Sequence, residues 1–182
     1  MRTLYFLLIV VSNILTAMFS PIIFAGGLLI VPVGSLFAGA VFVLRDVIQL
    51  RYGKRKTYRL ILWAAVLSAV MSLAFGDTAH VAAASVIAFF VSEAADTEVF
   101  SKLQKSMTMR VLISGIVGGC LDSALFVILG LSPIGAGVLS WGAVPFAIIG
   151  QVLTKTVVQL PAAGYTLLRN KKMKEISKGL RI

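Results

Sequence analysis

The stretch FFVSEAADTEVFSK, from Phe89 to Lys102, places three acids inside or at the edge of a long apolar run. These acids are Glu93, Asp96 and Glu98, and the chain has only seven acidic residues in all. An ionisable side chain at the centre of a membrane helix costs about 2.5–3.5 kcal/mol on insertion scales. The stretch therefore predicts that a ligand, water or an opposite charge offsets this cost.

The composition indicates an integral membrane protein. Of 182 residues, 59% are hydrophobic and 13% are charged, whereas a soluble domain carries about a quarter charged residues. Runs of about 20 apolar residues, enough to cross a bilayer, can be laid out as six spans: 3–20, 33–52, 58–76, 79–101, 109–131 and 143–168. We predict an all-α fold, with one six-helix transmembrane domain over 1–170 and a basic cytoplasmic tail over 171–182.

The basic residues test this count and give an orientation. One lies at the N-terminus, five between spans two and three, three between spans four and five, and six in the tail. The connections on the other side hold none. Because cytoplasmic loops are enriched in Lys and Arg, we expect a multi-pass protein of the inner (plasma) membrane with both termini in the cytoplasm. The net charge of +10 then reflects topology and anionic lipid, and no nucleic acid is expected as a partner.

Polar side chains inside the spans fall at overlapping depths, near the middle of a core roughly 30 Å thick. At a helix rise of 1.5 Å per residue, five spans contribute one each: Asn13, Asp46, Glu93, Asp122 and Lys155. On the sixth span, Gln151 and Gln159 flank Lys155 at one helical turn on either side. The sequence therefore predicts one shared interior site.

Asp122 and Lys155 have two interpretations. They can belong to a ligand site, or they can form an ion pair that only neutralises two buried charges. Gly115 and Gly119 share a helical face with Asp122, and Gly118 lies beside them. Small residues of this kind favour close helix packing over ligand contact.

The ionisable residues of the second and fourth spans also have alternative interpretations. Arg45 can extend toward the basic loop or neutralise the adjacent Asp46. Glu98 is expected at the surface, one turn from Lys102. Glu93 has no basic partner on its own helix. Glu93 is therefore the strongest candidate for ligand binding.

The connection before the second span, PIIFAGGLLIVP, is apolar throughout. It is bracketed by Pro21 and Pro32 and split by Gly26 and Gly27. A water-exposed loop is rarely so apolar. We expect a re-entrant or lid-like segment over the outer mouth of the bundle, with a seventh half-span as the alternative.

Four blocks of the sequence resemble, in order, the VUT family of vitamin-uptake-like proteins. They are FVLRDVIQLRYGKRKTYR at 42–59, VSEAADTEVFSKLQ at 91–104, GGCLDSALFVILG at 118–130 and GQVLTKTVVQLPAA at 150–163. The family includes queuosine-precursor transporters that import 7-cyano-7-deazaguanine. Its members tend to have an uncharged residue where Arg45 stands, and an acid near Gln159.

The resemblance implies six spans arranged much like the S components of energy-coupling-factor (ECF) importers, and a deazapurine or related base as cargo. The substrate-binding residues that it implies by position are Asn13, Asp46, Gln49, Glu93, Asp96, Asp122, Gln151 and Lys155. A carboxylate can accept the adjacent ring N–H and amino donors of a guanine-like edge in a bidentate arrangement. Phe or Trp rings would cover the flat face.

We therefore expect a transporter for a queuosine precursor; the alternative is an S-component-like subunit for another vitamin or nucleobase. The expected partners are the deazapurine, the lipid bilayer, and either protons or an ECF-type energising module, with a homo-oligomer left open. Ser12, Thr16 and Ser20 form a small-residue ridge on which such a module could dock.

Other function classes are disfavoured. An intramembrane enzyme is disfavoured because HExxH, GxGD-type and Ser–His patterns are missing from the sequence. A purely structural protein would leave the buried polar residues unexplained. No metal site and no cofactor are expected, because His80 and Cys120 are each single in the chain.

Overall fold

The computed structural model describes residues 1–24 and 29–179. Six α-helices run through these residues: α1 Arg2–Met18, α2 Ser35–Tyr52, α3 Lys54–Ala74, α4 Ala79–Lys102, α5 Met107–Phe126 and α6 Val144–Gly179. A π-helical turn, Val127–Leu131, extends α5. Each predicted span coincides with one helix, and α6 continues past residue 168, so the basic tail prolongs the last helix as far as Gly179.

Local sequence signals explain where several helices begin and end. Gly53 separates α2 from α3 with φ of 81°, a backbone conformation that glycine adopts without a steric penalty. Thr78 caps the start of α4, where its hydroxyl accepts a hydrogen bond from the Val81 backbone N–H at 3.3 Å. Ser106 does the same for Met109 at the start of α5. These caps satisfy backbone groups that a helix start leaves unpaired.

Within the described residues, four helical segments are long and apolar enough to cross a membrane: Lys54–Ala74, Ala79–Lys102, Met107–Leu131 and Val144–Pro161. The chain is therefore a multi-pass membrane protein. The other two helices each lack one of the two properties. α1 is apolar but has 17 residues, and α2 has 18 residues but carries Arg45, Asp46 and Arg51.

The segment between α1 and α2 departs from the all-α prediction. Ile22–Phe24 (β1) pairs antiparallel with Leu29–Val31 (β2), with Ile22 opposite Val31. β-Branched residues favour strands, and the flanking prolines do not continue a helix. β2 packs against α6, and Val31 is buried. The expected lid-like segment is thus a hairpin, whose connecting residues 25–28 lie outside the described residues.

Side-chain contacts bring the basic residues to one end of the helix bundle. Lys54 on α3 lies 2.7 Å from Glu98 near the end of α4. Arg110 on α5 donates to the Phe100 carbonyl on α4 at 2.8 and 3.0 Å. We call this the basic end. The opposite end holds the β-hairpin and the α3–α4 connection, and we call it the hairpin end.

Candidate functional site

A cavity of about 170 Å³ lies between the helices in the half of the bundle nearer the hairpin end. All six helices contribute to its lining. Thr16 and Asp77, toward the hairpin end, are exposed, whereas Glu93 is completely buried. On α4 the lining residues recur at every fourth position from Val81 to Glu93, a distance of about 18 Å along the helix. The cavity therefore leads from the hairpin end into the middle of the bundle.

Five of the eight predicted site residues line this cavity: Asn13, Glu93, Asp122, Gln151 and Lys155. They come from α1, α4, α5 and α6, which are far apart in the sequence. The Asn13 amide donates to the Ile9 carbonyl at 2.9 Å, and its oxygen accepts from Ser68 at 3.4 Å. The structure therefore assembles most of the predicted site around one cavity.

The Asp122–Lys155 pair forms at the inner part of the cavity. The Lys155 ammonium lies 2.6 Å from the Asp122 carboxylate, 2.8 Å from the Ser123 hydroxyl and 3.4 Å from the Gln151 amide oxygen. Its three N–H donors thus have three acceptors. The Asp122 side chain is 22% exposed. The two interpretations of this pair are compatible in the structure, since the charges neutralise each other and both border the cavity.

The other three predicted residues, Asp46, Gln49 and Asp96, are buried but do not line the cavity. They surround Arg45, and with Glu93 they form what we call the Arg45 cluster. The Arg45 guanidinium lies 3.3 Å from Asp46 and 3.2 Å from Glu93, and it also contacts Asp96. A direct role of these three residues in substrate binding stays a prediction.

The Arg45 cluster supplies the basic partner that Glu93 lacks on its own helix. Its basic partner comes from α2, a helix that a search along α4 alone cannot reveal. Arg45 contacts Asp46, as one alternative held, but it also contacts two acids of α4. The Tyr5 side chain, completely buried on α1, neighbours Glu93 on another side.

The Arg45 cluster is incompletely satisfied. Among the described residues, both carboxylate oxygens of Glu93, both of Asp96 and one of Asp46 have no hydrogen-bond partner of normal geometry. Three carboxylates face one guanidinium, so the cluster has an excess of acidic groups. Buried polar groups without partners are rare in native proteins and often mark functional positions. Since Glu93 lines the cavity, its carboxylate stands at the junction of the cavity and the cluster.

Several lining residues were not among the predicted site residues. Hydroxyl groups and aromatic rings account for most of them: Ser12, Thr16, Ser35, Ser68, Ser72, Ser85, Phe42, Phe89 and Phe126. Ser68 and Ser72 are one turn apart on α3, and Ser85 and Phe89 continue the face of Glu93 on α4. Extending the Glu93 face toward the start of α4 would have found Ser85 and Phe89. Single serines in apolar helices give no comparable signal.

The glycines of α5 serve packing, as predicted. A Cβ atom on Gly118 would lie 2.9 Å from the Asp96 Cβ. One on Gly115 would meet the Gln159 side chain, whose amide donates to the Val111 carbonyl at 2.6 Å. Gln159 thus fills the space beside Gly115 and is absent from the cavity lining.

Contacts between helices also involve Glu98 and the ridge on α1. Glu98 lies at the surface, as expected, and its partners are Lys54 at 2.7 Å and the Tyr58 hydroxyl at 2.8 Å, both on α3. The ridge on α1 is also partly used inside the chain, because Ser12 donates to the Gly34 carbonyl at 2.9 Å.

A family model matches residues 69–168, more than half of the chain, and its description is "Putative vitamin uptake transporter". This chain belongs to that family. The match runs from the second half of α3 into α6, so it includes Glu93, Asp122 and Lys155. The resemblance to the VUT family is confirmed. The description is that of a transporter and not of an enzyme, as predicted. No curated protein and no solved structure matches the chain.

Proposed function

We propose that the chain imports a queuosine precursor, 7-cyano-7-deazaguanine or a related deazapurine, through the cavity. One observation carries the proposal. The Glu93 carboxylate stands at the inner end of the cavity, where one of its oxygens faces the Arg45 guanidinium at 3.2 Å and neither accepts a hydrogen bond of normal geometry from the described residues. A ligand that brings two adjacent N–H donors would satisfy both oxygens at once.

The lining of the cavity suits a flat, polar ring. Phe42, Phe89 and Phe126 supply aromatic surface. The amides of Asn13 and Gln151 can meet carbonyl and ring nitrogen atoms. A volume of about 170 Å³ is below the roughly 300–1,000 Å³ typical of sites for drug-sized ligands. The cargo is therefore a small metabolite of about the size of a single base.

The proposal includes six spans, with both termini in the cytoplasm of an inner-membrane protein. α1 and α2 are about 26 and 27 Å long at 1.5 Å per residue, close to the thickness of the hydrocarbon core. The charges at Arg45 and Asp46 do not oppose a crossing by α2, because both side chains are completely buried against protein. The basic end of the bundle then faces the cytoplasm.

The energy source follows from the same observations. The Arg45 cluster holds three carboxylates at the inner end of the cavity, and carboxylates at such positions carry protons in many carriers. One residue of the α1 ridge, Ser12, is engaged within the chain, where it donates to the Gly34 carbonyl. Both observations favour a proton-coupled carrier over a subunit that depends on an ATPase module. Uptake by cells that express only this chain tests the choice, and uptake that requires ATPase partners would contradict it.

A thermal-shift experiment on detergent-purified protein tests the cargo. We expect 7-cyano-7-deazaguanine and guanine to raise the unfolding temperature increasingly as the ratio of ligand concentration to Kd rises, and adenine to do so less. Glu93→Gln should weaken base binding about 10- to 100-fold, since hydrogen bonds to a charged group contribute about 1.5–3 kcal/mol. Glu98→Gln, the same change outside the cavity on the same helix, is the matched control. Unchanged affinity in Glu93→Gln, or no stabilisation by any base, would contradict the proposal.

A further inference from the structure

Polar side chains continue from Glu93 toward the basic end, beyond the floor of the cavity. On α4, Glu93, Thr97 and Ser101 recur at every fourth position, over about 12 Å. On α2, Arg45 and Gln49 face them. Glu93 and Thr97 are buried, and Ser101 is exposed. We call this series the polar column.

One ion pair and several hydrogen bonds connect the polar column from end to end. The Arg45 guanidinium lies 3.2 Å from Glu93 and donates to the Thr97 hydroxyl at 2.9 Å. The Gln49 amide donates to the Ser101 hydroxyl at 2.8 Å and to the Thr97 carbonyl at 3.3 Å. Helices that only pack against each other bury apolar residues. A polar series that links an internal cavity to the opposite end of the bundle is typical of a route for polar cargo or ions.

Arg45 lies directly beside Glu93, the residue at which the cavity and the polar column meet. It is completely buried, and its partners are the acids of its own helix and of α4. The Arg45–Asp96 and Arg45–Glu93 contacts hold α2 against α4. The guanidinium therefore closes the column beneath the cavity.

We propose that Arg45 is the inner gate of the transport route, held closed by its ion pairs to Glu93 and Asp96. A ligand that binds the Glu93 carboxylate competes with Arg45 for the same oxygens. Occupancy of the cavity then weakens one of the two Arg45 ion pairs between α2 and α4 and favours opening toward the basic end. The inference rests on the proposed function only in taking the cavity as a transport route, and it holds for any cargo that binds Glu93.

Cysteine accessibility tests the gate without cargo. The chain has one cysteine, Cys120, so Cys120→Ser gives a cysteine-free background. Ser68→Cys then places a thiol in the cavity, behind the gate as seen from the basic end, where Ser68 is buried and lines the cavity. A membrane-impermeant maleimide is applied to inverted vesicles, in which the basic end faces the medium. With the gate intact, the thiol should react slowly.

Opening the gate should make this thiol reactive. Asp96→Asn removes one Arg45 ion pair and leaves the cavity lining unchanged, so we expect labelling to become about tenfold faster or more, within the usual range of coupling between sites. Glu98→Gln is the matched control on α4, because it removes only the exposed ion pair to Lys54, and it should leave the rate unchanged. Arg45→Lys is the second gate variant. It keeps the positive charge but loses the planar guanidinium, whose several N–H donors contact more than one carboxylate.

The outcomes separate the gate from the cargo. Faster labelling in either folded gate variant, with no change in Glu98→Gln, supports the gate. Labelling at the parent rate in both folded gate variants would overturn it and leave the Arg45 cluster as a structural bond between α2 and α4. Base binding is measured separately by thermal shift. A gate that opens in a protein that binds no purine would refute the proposed cargo and retain the gate.

Discussion

Two charge networks border the inner end of the cavity, and they are built on different principles. In the first, one ammonium on Lys155 meets one carboxylate on Asp122, and a hydroxyl and an amide oxygen complete its hydrogen bonds. In the second, one guanidinium on Arg45 meets three carboxylates, and most of their oxygens lack hydrogen-bond partners among the described residues. The first network is balanced, whereas the second has an excess of acid.

The difference shows which network can change. A balanced pair with complete hydrogen bonds gains little from rearrangement, so it suits a fixed wall of the site. A cluster with unsatisfied buried oxygens is stabilised by any ligand or proton that supplies a donor. We therefore propose that the Lys155 pair positions the cargo and that the Arg45 cluster responds to it.

Replacing the cation of either network, Arg45 or Lys155, is expected to give the largest loss of stability. Arg45→Met leaves three buried carboxylates without a counter-charge, and breaking a buried ion pair costs about 3–5 kcal/mol. Lys155→Met should cost less, because the Asp122 side chain is 22% exposed and faces the cavity. Thermal unfolding of the purified proteins in detergent measures both losses. Equal losses of stability in the two variants would show that the two networks do not differ in charge balance.

Substitution of two adjacent glycines of α5 by alanine is expected to give the next largest effect on stability, because each glycine packs against a different network. A Cβ on Gly118 would lie 2.9 Å from the Asp96 Cβ in the Arg45 cluster, and such overpacking costs about 1–3 kcal/mol. A Cβ on Gly119 would lie 3.8 Å from the Lys155 Cβ, an ordinary contact. Gly119→Ala should therefore be neutral or stabilising, because Ala favours the helix over Gly by about 1 kcal/mol. Thermal unfolding again provides the measurement, and a destabilised Gly119→Ala protein would contradict this packing.

The smallest expected effect is the coupling energy between Asp122 and Lys155, measured by a double-mutant cycle on Asp122→Asn and Lys155→Gln. Residues in direct contact show coupling energies of about 0.5–3 kcal/mol, so the double variant should be more stable than the sum of the single losses predicts. Binding of 7-cyano-7-deazaguanine by the same proteins sharpens the result. We expect the double variant to regain stability but not affinity, because both residues line the cavity. Restored affinity would assign the pair a structural role alone.

Sequence reasoning found the helices because apolar runs of membrane length are a strong local signal. It also found that polar groups share a depth, since the helix rise converts residue number into position. Asn13, Asp46, Glu93, Asp122 and Lys155 were placed at one depth on this basis, and the structure brings all of them except Asp46 to one cavity. Depth along a helix is a property of the chain alone.

The direction in which each helix faces its neighbours could not be found in the same way. Asp46, Gln49 and Asp96 lie at depths close to the site residues, yet they surround Arg45 and do not line the cavity. Local pairing rules compare residues on one helix, so for Arg45 they offered only Asp46. The structure contains that pair, adds two acids of α4 to it, and pairs Glu98 with Lys54 of α3. The β-hairpin was missed because a short apolar run carries no periodicity that separates a strand from a membrane segment.

The sequence by itself determined that this is a multi-pass membrane protein, where its helices lie, and which polar residues reach the middle of the bundle. These properties depend on apolar length and on helix rise, which are local. Only the tertiary structure decided that Arg45 and Glu93 meet, that one group of acids borders a cavity, and that the other group closes the column beneath it. Those properties depend on the rotation of each helix about its axis, which is set by packing between residues distant in the chain, such as Gly118 against Asp96.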